Sequence, residues 1–412
     1  MANPDAGVAR RLDALNFFLA DVHDGLGPYL AIYLLTVQHW DEASIGIVMS
    51  MGGIAALLAQ TPAGALIDAT MAKRAILVAA AGFVTLGSVA LPWTESFVAV
   101  AAMKVLTGGA QSVFAPSIAP ITLGIVGPKA FARRIGRNEA FNHAGNATAA
   151  SVAAATAYFF GPVVVFWLMA AMAVASIAVT LSIPAGAIDH HVARGLEAGA
   201  GHDRDQPSGL SVLMSSRPLL VFAVCVALFH FANAAMLPLV GQKLALVNRE
   251  IGTSLMAVCI VAAQAVMVPV AMVTGAKADT WGRKPIFLAG FAILSLRGFL
   301  YPFSDNPYWL VGVQLLDGFG AGIFGALFPV IVSDITRGTG RFNVSQGAIA
   351  TAQGIGASLS AAVAGLIVVN AGYGAAFWTL AAIAVAGLVL FLVAMPETAA
   401  STSRGRPAAV PA

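Results

Sequence analysis

The chain alternates between apolar stretches of about 20 residues and short polar or Gly/Pro-rich breaks, the length needed to cross a bilayer as a helix. Twelve such stretches predict twelve transmembrane helices. Six run roughly over 12–37, 43–68, 74–92, 96–126, 138–160 and 162–184. Six more run over 217–242, 252–275, 284–304, 308–334, 344–370 and 373–395. Between the sets lies one long hydrophilic segment, with Asp189, His190, His191, Arg194, Glu197, His202, Asp203, Arg204 and Asp205, which predicts a linker. The expected organisation is a six-helix bundle over 1–184, a linker over 185–216, a second bundle over 217–395 and a disordered tail over 396–412.

A charged pattern recurs 211 residues apart, as Gly64-Ala-Leu-Ile-Asp68-Ala-Thr-Met-Ala-Lys73-Arg74 and as Gly275-Ala-Lys-Ala-Asp279-Thr-Trp-Gly282-Arg283-Lys284. Leu106-Thr107-Gly108 matches Leu316-Asp317-Gly318, and Pro28 matches Pro238, both at a shift of 210. The chain therefore reads as two copies of one module. That gives an all-α integral membrane fold of two six-helix bundles related by a pseudo-twofold axis, with a site near the midplane between them.

Composition settles the solvent. The chain is 59% hydrophobic, against roughly 45–50% in soluble domains, so lipid must cover most of its surface. A net charge of +3 gives no reason to expect nucleic acid. Cys225 and Cys259 sit in apolar runs, which argues against a disulfide framework. Two aspartates and a histidine in the first apolar run are unlike a cleavable signal. Of 22 lysines and arginines, all but Lys104, Lys243, Arg249 and Arg297 fall on the side of the termini, the linker and the repeated loops. By the positive-inside rule that side is the cytoplasm, and the expected location is a bacterial inner membrane.

On these loops the chain resembles the major facilitator superfamily, over essentially its whole length. The second loop copy fits that family's signature closely, and the first has Met71 where glycine is usual. Lys104-Val-Leu-Thr-Gly108-Gly109 is similar to the family's fourth-helix motif, with lysine in place of arginine. A Gly-Pro pair typical of drug antiporters is missing from the fifth span, Gly161-Pro162 lying at its end, which weakens a multidrug reading. Leu15-Asn16-Phe17-Phe18-Leu19-Ala20-Asp21-Val22 and the stretch from Arg137 to Asn146 resemble bacterial metal-resistance exporters within the family. The resemblance implies gating loops at Gly64, Asp68, Lys73, Arg74, Gly275, Asp279, Gly282, Arg283 and Lys284 that hold the outward-facing state. It also implies a cavity lined by the first, fourth, seventh and tenth spans.

Ionisable groups at membrane depth are costly unless paired or hydrated, so each is a functional candidate. At a rise of ~1.5 Å per residue, Asp21 lies ~14 Å and Asp24 ~18 Å deep, near the level of Lys104, His230 and Asp317. Asp21 and Asp24 share a helical face, where two carboxylates tend to share a proton, and Lys104 could hold one ionised. This trio is the candidate proton-coupling site, with a static buried ion pair as the alternative. Asn16, His23, Asn142, His143, Asn146, His230, Asn233, Gln314 and Asp317 are the candidate cavity residues. Asp21, His23 and Asp24 with Asn142, His143 and Asn146 offer N and O donors suited to Ni²⁺, Co²⁺ or Zn²⁺, although no tight ligand motif exists. His190, His191 and His202 read as solvated, Arg297 as a side chain snorkelling to the interface, and Trp93, Trp309 and Trp378 as interfacial anchors.

Taken together these residues point to a non-enzymatic, proton-coupled secondary transporter that works as a monomer without a cofactor. There is no phosphate-binding loop for ATP hydrolysis. Export of a small solute, a divalent metal or its chelate among them, is the first reading. Uptake of an organic anion with Lys104 as counter-charge, or a transport-inactive receptor on the same fold, are the alternatives.

Overall fold

The computed structural model describes residues 6–24, 30, 33–34, 37–40, 42–160, 163–196, 216–247 and 252–399. Among them every regular element is helical. The α-helices are α1 (Ala6–Asp24), α2 (Glu42–Ala69), α3 (Lys73–Ala90), α4 (Phe97–Gln111), α5 (Phe114–Phe160) and α6 (Val164–Ser182). They continue with α7 (Arg217–Asn233), α8 (Met236–Val247), α9 (Gly252–Trp281), α10 (Arg283–Leu300), α11 (Pro307–Ile335) and α12 (Phe342–Ala394). Nine stretches of the described residues are long and apolar enough to cross a bilayer. Two of these are really helix pairs, joined at Gly127 (φ 72°) in α5 and Gly372 (φ 83°) in α12, left-handed positions that suit glycine. With these divided and α1 included, the described residues make twelve helical segments where twelve passes are expected.

Proline places the breaks. Pro116 and Pro238 each lack the N–H that would bond back four residues, and the ring crowds that carbonyl. The helix is accordingly interrupted around Ser112, between α4 and α5, and around Ala234, between α7 and α8. The Ala235 N–H freed by the second break donates to Ser360 Oγ on α12 at 3.0 Å. The fifth pass corrects the sequence reading, because it starts at Pro128 and not near 138. The basic run through Lys129, Arg133 and Arg137 is spaced as one face of a helix, and its charges hid that helix from a hydropathy reading.

The two halves repeat at the level of atomic contacts. A Cβ at Gly108 would collide with the Gly52 carbonyl, and one at Gly318 would meet the Ala263 carbonyl at 2.7 Å. Gly145 abuts the Phe17 carbonyl as Gly356 abuts that of Ala227. Across the halves, Gly347 abuts the Gln60 carbonyl as Gly136 abuts that of Ala271. Gly64 faces Asn343 as Gly275 faces Ala132. Every member maps onto its partner by a shift of 210 or 211 residues. Because lipid offers no hydrophobic drive between helices, close backbone approach at small residues is what packs them. Side chains facing outward stay apolar and exposed, such as Leu58, Leu86, Val369 and Val393.

The contacts across the halves gather at the end bearing the two loops, here the loop end. There α2 meets α12 and the second limb of α5 meets α9. Thr61 and Thr351 hydroxyls lie 3.0 Å apart, and the Phe131 and Phe342 rings meet edge to face.

Two hydrophilic segments are more ordered than their composition suggests. The first part of the linker, 185–196, is folded against both halves: Asp189 N donates to Gly124 O, Gly338 N donates to Gly195 O, and Val192 and Ala193 are buried. His190 and His191 are half-buried there, not solvated. Burial, and then the Lys73 charge, lower the His190 pKa. His202 lies outside the described residues. The tail expected to be disordered from 396 instead places Glu397 over the start of α10, accepting from Arg283 N at 3.0 Å and Lys284 N at 3.1 Å. A carboxylate there satisfies free helix N–H groups and faces the positive end of the helix.

Gly145→Val should lower the melting point of the detergent-solubilised protein, consistent with roughly 1–3 kcal/mol of overpacking. Gly365→Val, at a position with nothing within 4 Å, should leave it unchanged. Equal melting points for the two variants would show that the close approach at Gly145 is not what packs α1 against α5.

Candidate functional site

A cavity of about 460 Å³ lies between the halves and draws lining from both. From the first half come Asn16 on α1, Gln60 on α2, Phe114 at the start of α5, and Asn138, Glu139, Asn142 and His143 on the second limb of α5. From the second come Phe229, His230 and Asn233 on α7, Phe324 and Phe328 on α11, and Gln346 and Gln353 on α12. Helical spacing explains the convergence, since 138, 139, 142 and 143 fall on one face, as do 229, 230 and 233.

The walls divide into two kinds. One is aromatic: Phe324 stacks on Phe229 and Phe328 with centroids 5.2 and 5.4 Å apart, and His230 sits edge-on to Phe324 at 4.6 Å. The other is rich in amides. Asn138 is fixed by Arg134 Nε (2.8 Å) and Thr122 Oγ1 (2.9 Å). His143 Nδ1 lies 2.7 Å from Gln264 Oε1 on α9, and its Nε2 lies 4.0 Å from Glu139. Gln60 and Gln346, from opposite halves, each keep a buried side-chain oxygen without a hydrogen-bond partner among the described residues. Buried polar groups are nearly always satisfied, so such atoms are suited to a bound solute.

Five of the predicted cavity residues meet here: Asn16, Asn142, His143, His230 and Asn233. Asn146 stands one turn further along α5, half-buried and outside the lining. Gln314 and Asp317 sit elsewhere, in a network within the second half. Arg297, expected to snorkel, is 1% exposed and at the centre of that network. Its guanidinium donates to Asp317 and, at 2.6 Å, to Asn233 Oδ1, and it packs on Met236 Sδ. Gln314 Nε2 donates to Asp317 Oδ2 at 3.0 Å, and Tyr301 OH donates to Gln314. The Arg297 side chain turns inward because a carboxylate waits on the neighbouring helix, and a buried charge without a partner would cost several kcal/mol. One arginine and one aspartate in consecutive spans was the signal available in the sequence. Asn233 ties this network to the cavity.

Lys104 is not part of the described lining. It lies on the seam of α2 and α4, where a Cβ on Gly52 would come within 3.1 Å of both its Cε and its carbonyl oxygen. The side chains of Asp21, His23 and Asp24 lie outside what the structure describes, although α1 runs to Asp24. Gln60, Asn138, Glu139, Gln346 and Gln353 were missed. Uncharged amides carry no depth penalty large enough to single them out in an apolar run, and Asn138 and Glu139 fell in the stretch read as loop and helix start. Among the described residues no three His, Cys, Asp or Glu side chains gather as a metal set.

The two repeated loops are built differently. Asp68 is 3% exposed and accepts from Asn343 Nδ2 (2.7 Å) and Val344 N (2.8 Å), joining the first half to the start of α12 in the second. Lys73, fully buried, caps carbonyls of Ile67 (2.5 Å) and Thr70 (2.7 Å), and Arg74 does the same for Thr180 and Leu181. In the second copy Gly275 lies against Gly136, but Asp279 pairs within its own loop with Arg283 at 2.7 Å. Arg283 also binds Asp334 at 3.0 Å. Gly282 adopts φ 87° beneath Glu397, and Lys284 gives its backbone N–H to the same carboxylate.

The Major Facilitator Superfamily profile matches residues 14–280 and 219–411. The chain belongs to the major facilitator superfamily. Proteins described as uncharacterized MFS-type transporters from Mycobacterium tuberculosis strains CDC 1551 / Oshkosh and H37Rv are 64% identical over 399 residues, covering 97% of this chain and 96% of theirs. Among solved structures, the chain is similar to the transporter FucP in its outward conformation (13% identity, TM-score 0.71, 94% of this chain and 99% of that one). It is also similar to the proton:xylose symporter XylE (13%, 0.69, 95% of each). The human organic anion transporter MFSD10 is similar as well (15%, 0.64, 93% of this chain and 97% of that one). As an MFS member the protein is a multi-pass membrane transporter, not an enzyme.

Arg297→Gln should destabilise the folded protein by about 3–5 kcal/mol, because Asp317 is left part-buried without a counter-charge, with only the Gln314 amide donating to it. Arg297→Met with Asp317→Leu should recover most of that loss in the same thermal assay. A single variant as stable as wild type would mean that the Gln314 amide alone is enough to hold Asp317. Asp68→Ala should raise the labelling rate of a cysteine placed at the buried Ser345, since the loop end loses its tie. An unchanged rate would show that Asp68 holds nothing closed.

Proposed function

We propose that this MFS protein is a proton-coupled secondary transporter that exports a small polar solute by alternating access. The observation that carries the reading is the pair of unpartnered amide oxygens, Gln60 and Gln346, which come from opposite halves and line one cavity. A solute bound to both would contact the two bodies that must move relative to each other. Contacts gathered at the loop end support a state closed there and accessible from the other side. The basic residues support placing that closed end in the cytoplasm, with both termini, in a bacterial inner membrane.

Amides that both donate and accept, facing a wall of phenylalanines, suit a neutral or cationic solute with several polar groups. A metal chelate fits this description better than a bare ion. Among the described residues no lysine or arginine lines the cavity, and Lys104 is packed elsewhere, so an organic anion has less support. For coupling, Glu139 lies in the cavity beside His143, and Asp317 reaches it through Arg297 and Asn233. Asp21 and Asp24 retain the role their spacing suggests, and export rests on them and on His23. Binding of the solute and protonation of these carboxylates would then compete, which is how an antiporter exchanges one for the other.

Growth of overexpression and deletion strains across metal chelates, polar toxicants and organic acids should reveal resistance to at least one neutral or cationic compound. In proteoliposomes, export of that compound should follow an imposed pH gradient, and Glu139→Gln or Asp24→Asn should abolish the dependence. Gradient-driven transport unaltered in both variants would remove these carboxylates from coupling. A phenotype restricted to loss of an organic acid as carbon source would overturn export.

A further inference from the structure

A second cavity, also about 460 Å³, opens at the loop end of the first half. It is lined by Arg10 and Asp13 of α1 and by Arg133, Arg134 and Arg137 of α5, over an apolar floor that includes Val126. Four guanidiniums therefore face one carboxylate. Asp13 is already engaged twice, taking Arg134 Nη2 at 2.6 Å and Arg137 Nε and Nη2 at 2.9 and 2.7 Å. Arg134 is held further by Asn138 and by the Ala9 carbonyl, so the guanidinium array is pre-organised. Arg10, Arg133 and Arg137 remain exposed at the mouth.

Two features separate this from an ordinary basic loop. The positive-inside rule asks only for charge on one side of the membrane, and it is satisfied by scattered lysines and arginines. Here the arginines converge on a concave pocket with an apolar floor. Secondly, the pseudo-twofold repeat does not need them. Shifted by 210 or 211 residues, Asp13, Arg133, Arg134 and Arg137 correspond to Ala223, Val344, Ser345 and Ala348, all buried and uncharged. The scaffold folds in its second copy without this cluster, so stability of the module does not account for it.

We propose that this pocket binds the anionic phosphate headgroup of a membrane lipid. Guanidinium groups match phosphate oxygens in bidentate geometry, and basic pockets between helices at the membrane edge suit such headgroups. The apolar floor at Val126, where the first limb of α5 ends, would take the start of the acyl region, which a free phosphate cannot use. The limb that carries Arg133, Arg134 and Arg137 also carries Gly136, packed on Gly275, and Glu139 in the central cavity. A bound lipid would therefore brace the helix that joins the loop-end seam to the solute site.

The test uses the full-length purified protein in neutral detergent and acyl-labelled phosphatidylglycerol or phosphatidylcholine. Wild type should retain phosphatidylglycerol in preference. Arg10→Gln with Arg133→Gln should weaken that retention roughly thirty-fold, at about 1 kcal/mol per arginine. Lys277→Gln with Arg337→Gln, which removes equal charge from the same end outside the pocket, should change it little. Arg133→Gln alone, expected to lose roughly five-fold, serves if the double variant fails to fold. Equal loss in the two double variants would reduce the effect to diffuse surface charge and overturn the site. Displacement of the lipid by inorganic phosphate at matched ionic strength would overturn the lipid as the source. Equal retention of the two lipids by wild type would overturn both.

Discussion

Hydrocarbon rewards helices for close approach and not for hiding leucine, and this single constraint organises the whole protein. Glycines meet carbonyl oxygens within each half, as at Gly145 and Phe17, and between halves, as at Gly347 and Gln60. A repeated sequence can preserve such contacts with little else in common, because they need only the absence of a side chain at matched positions. The remaining side chains are then free to diverge. That freedom explains why the two copies share a skeleton but distribute their charges differently.

The same constraint decides where polar groups are found. A charge facing lipid is expensive, so Arg297 turns inward onto Asp317 and Asn233, and Lys73 fills itself with carbonyl oxygens. Amides are cheaper to bury than charges and can serve as either donor or acceptor, which suits a surface that must release what it binds. The central cavity reflects both preferences, being walled by amides and phenylalanines with Glu139 as the one carboxylate in its described lining.

What the sequence revealed followed from period and repetition. Apolar length gave the twelve passes, and the recurrence of glycine, aspartate and basic residues gave the two modules and their shared seam. It was silent where function depends on which face a residue presents. Lys104 and Asp317 were placed at one depth, yet one lies on the seam of α2 and α4 and the other pairs with Arg297. Depth along a helix is linear in residue number, whereas facing depends on how the helix is rotated against its neighbours. Glu397 and the start of the linker were also misjudged, because a polar stretch can be ordered by the helix ends it caps. Gln60 and Gln346 were invisible for another reason: a neutral amide in a long apolar run has little contrast.

The unequal loops have a mechanical consequence. Between α2 and α12 the halves are fastened by the Asp68 carboxylate, seated on the first turn of a helix. Between α5 and α9 the loop end is joined by close backbone contact at Gly136 and Gly275, because Asp279 stays with Arg283, and the His143–Gln264 hydrogen bond lies further in, at the cavity. Parting the first seam means drawing a carboxylate away from the first turn of a helix, whereas the loop end of the second has no such charge to draw away and can keep its contacts as the first opens. The loop end then resembles a door with a bolt on one edge and a hinge on the other. Its motion would be a swing about the α5–α9 axis, not a symmetric separation.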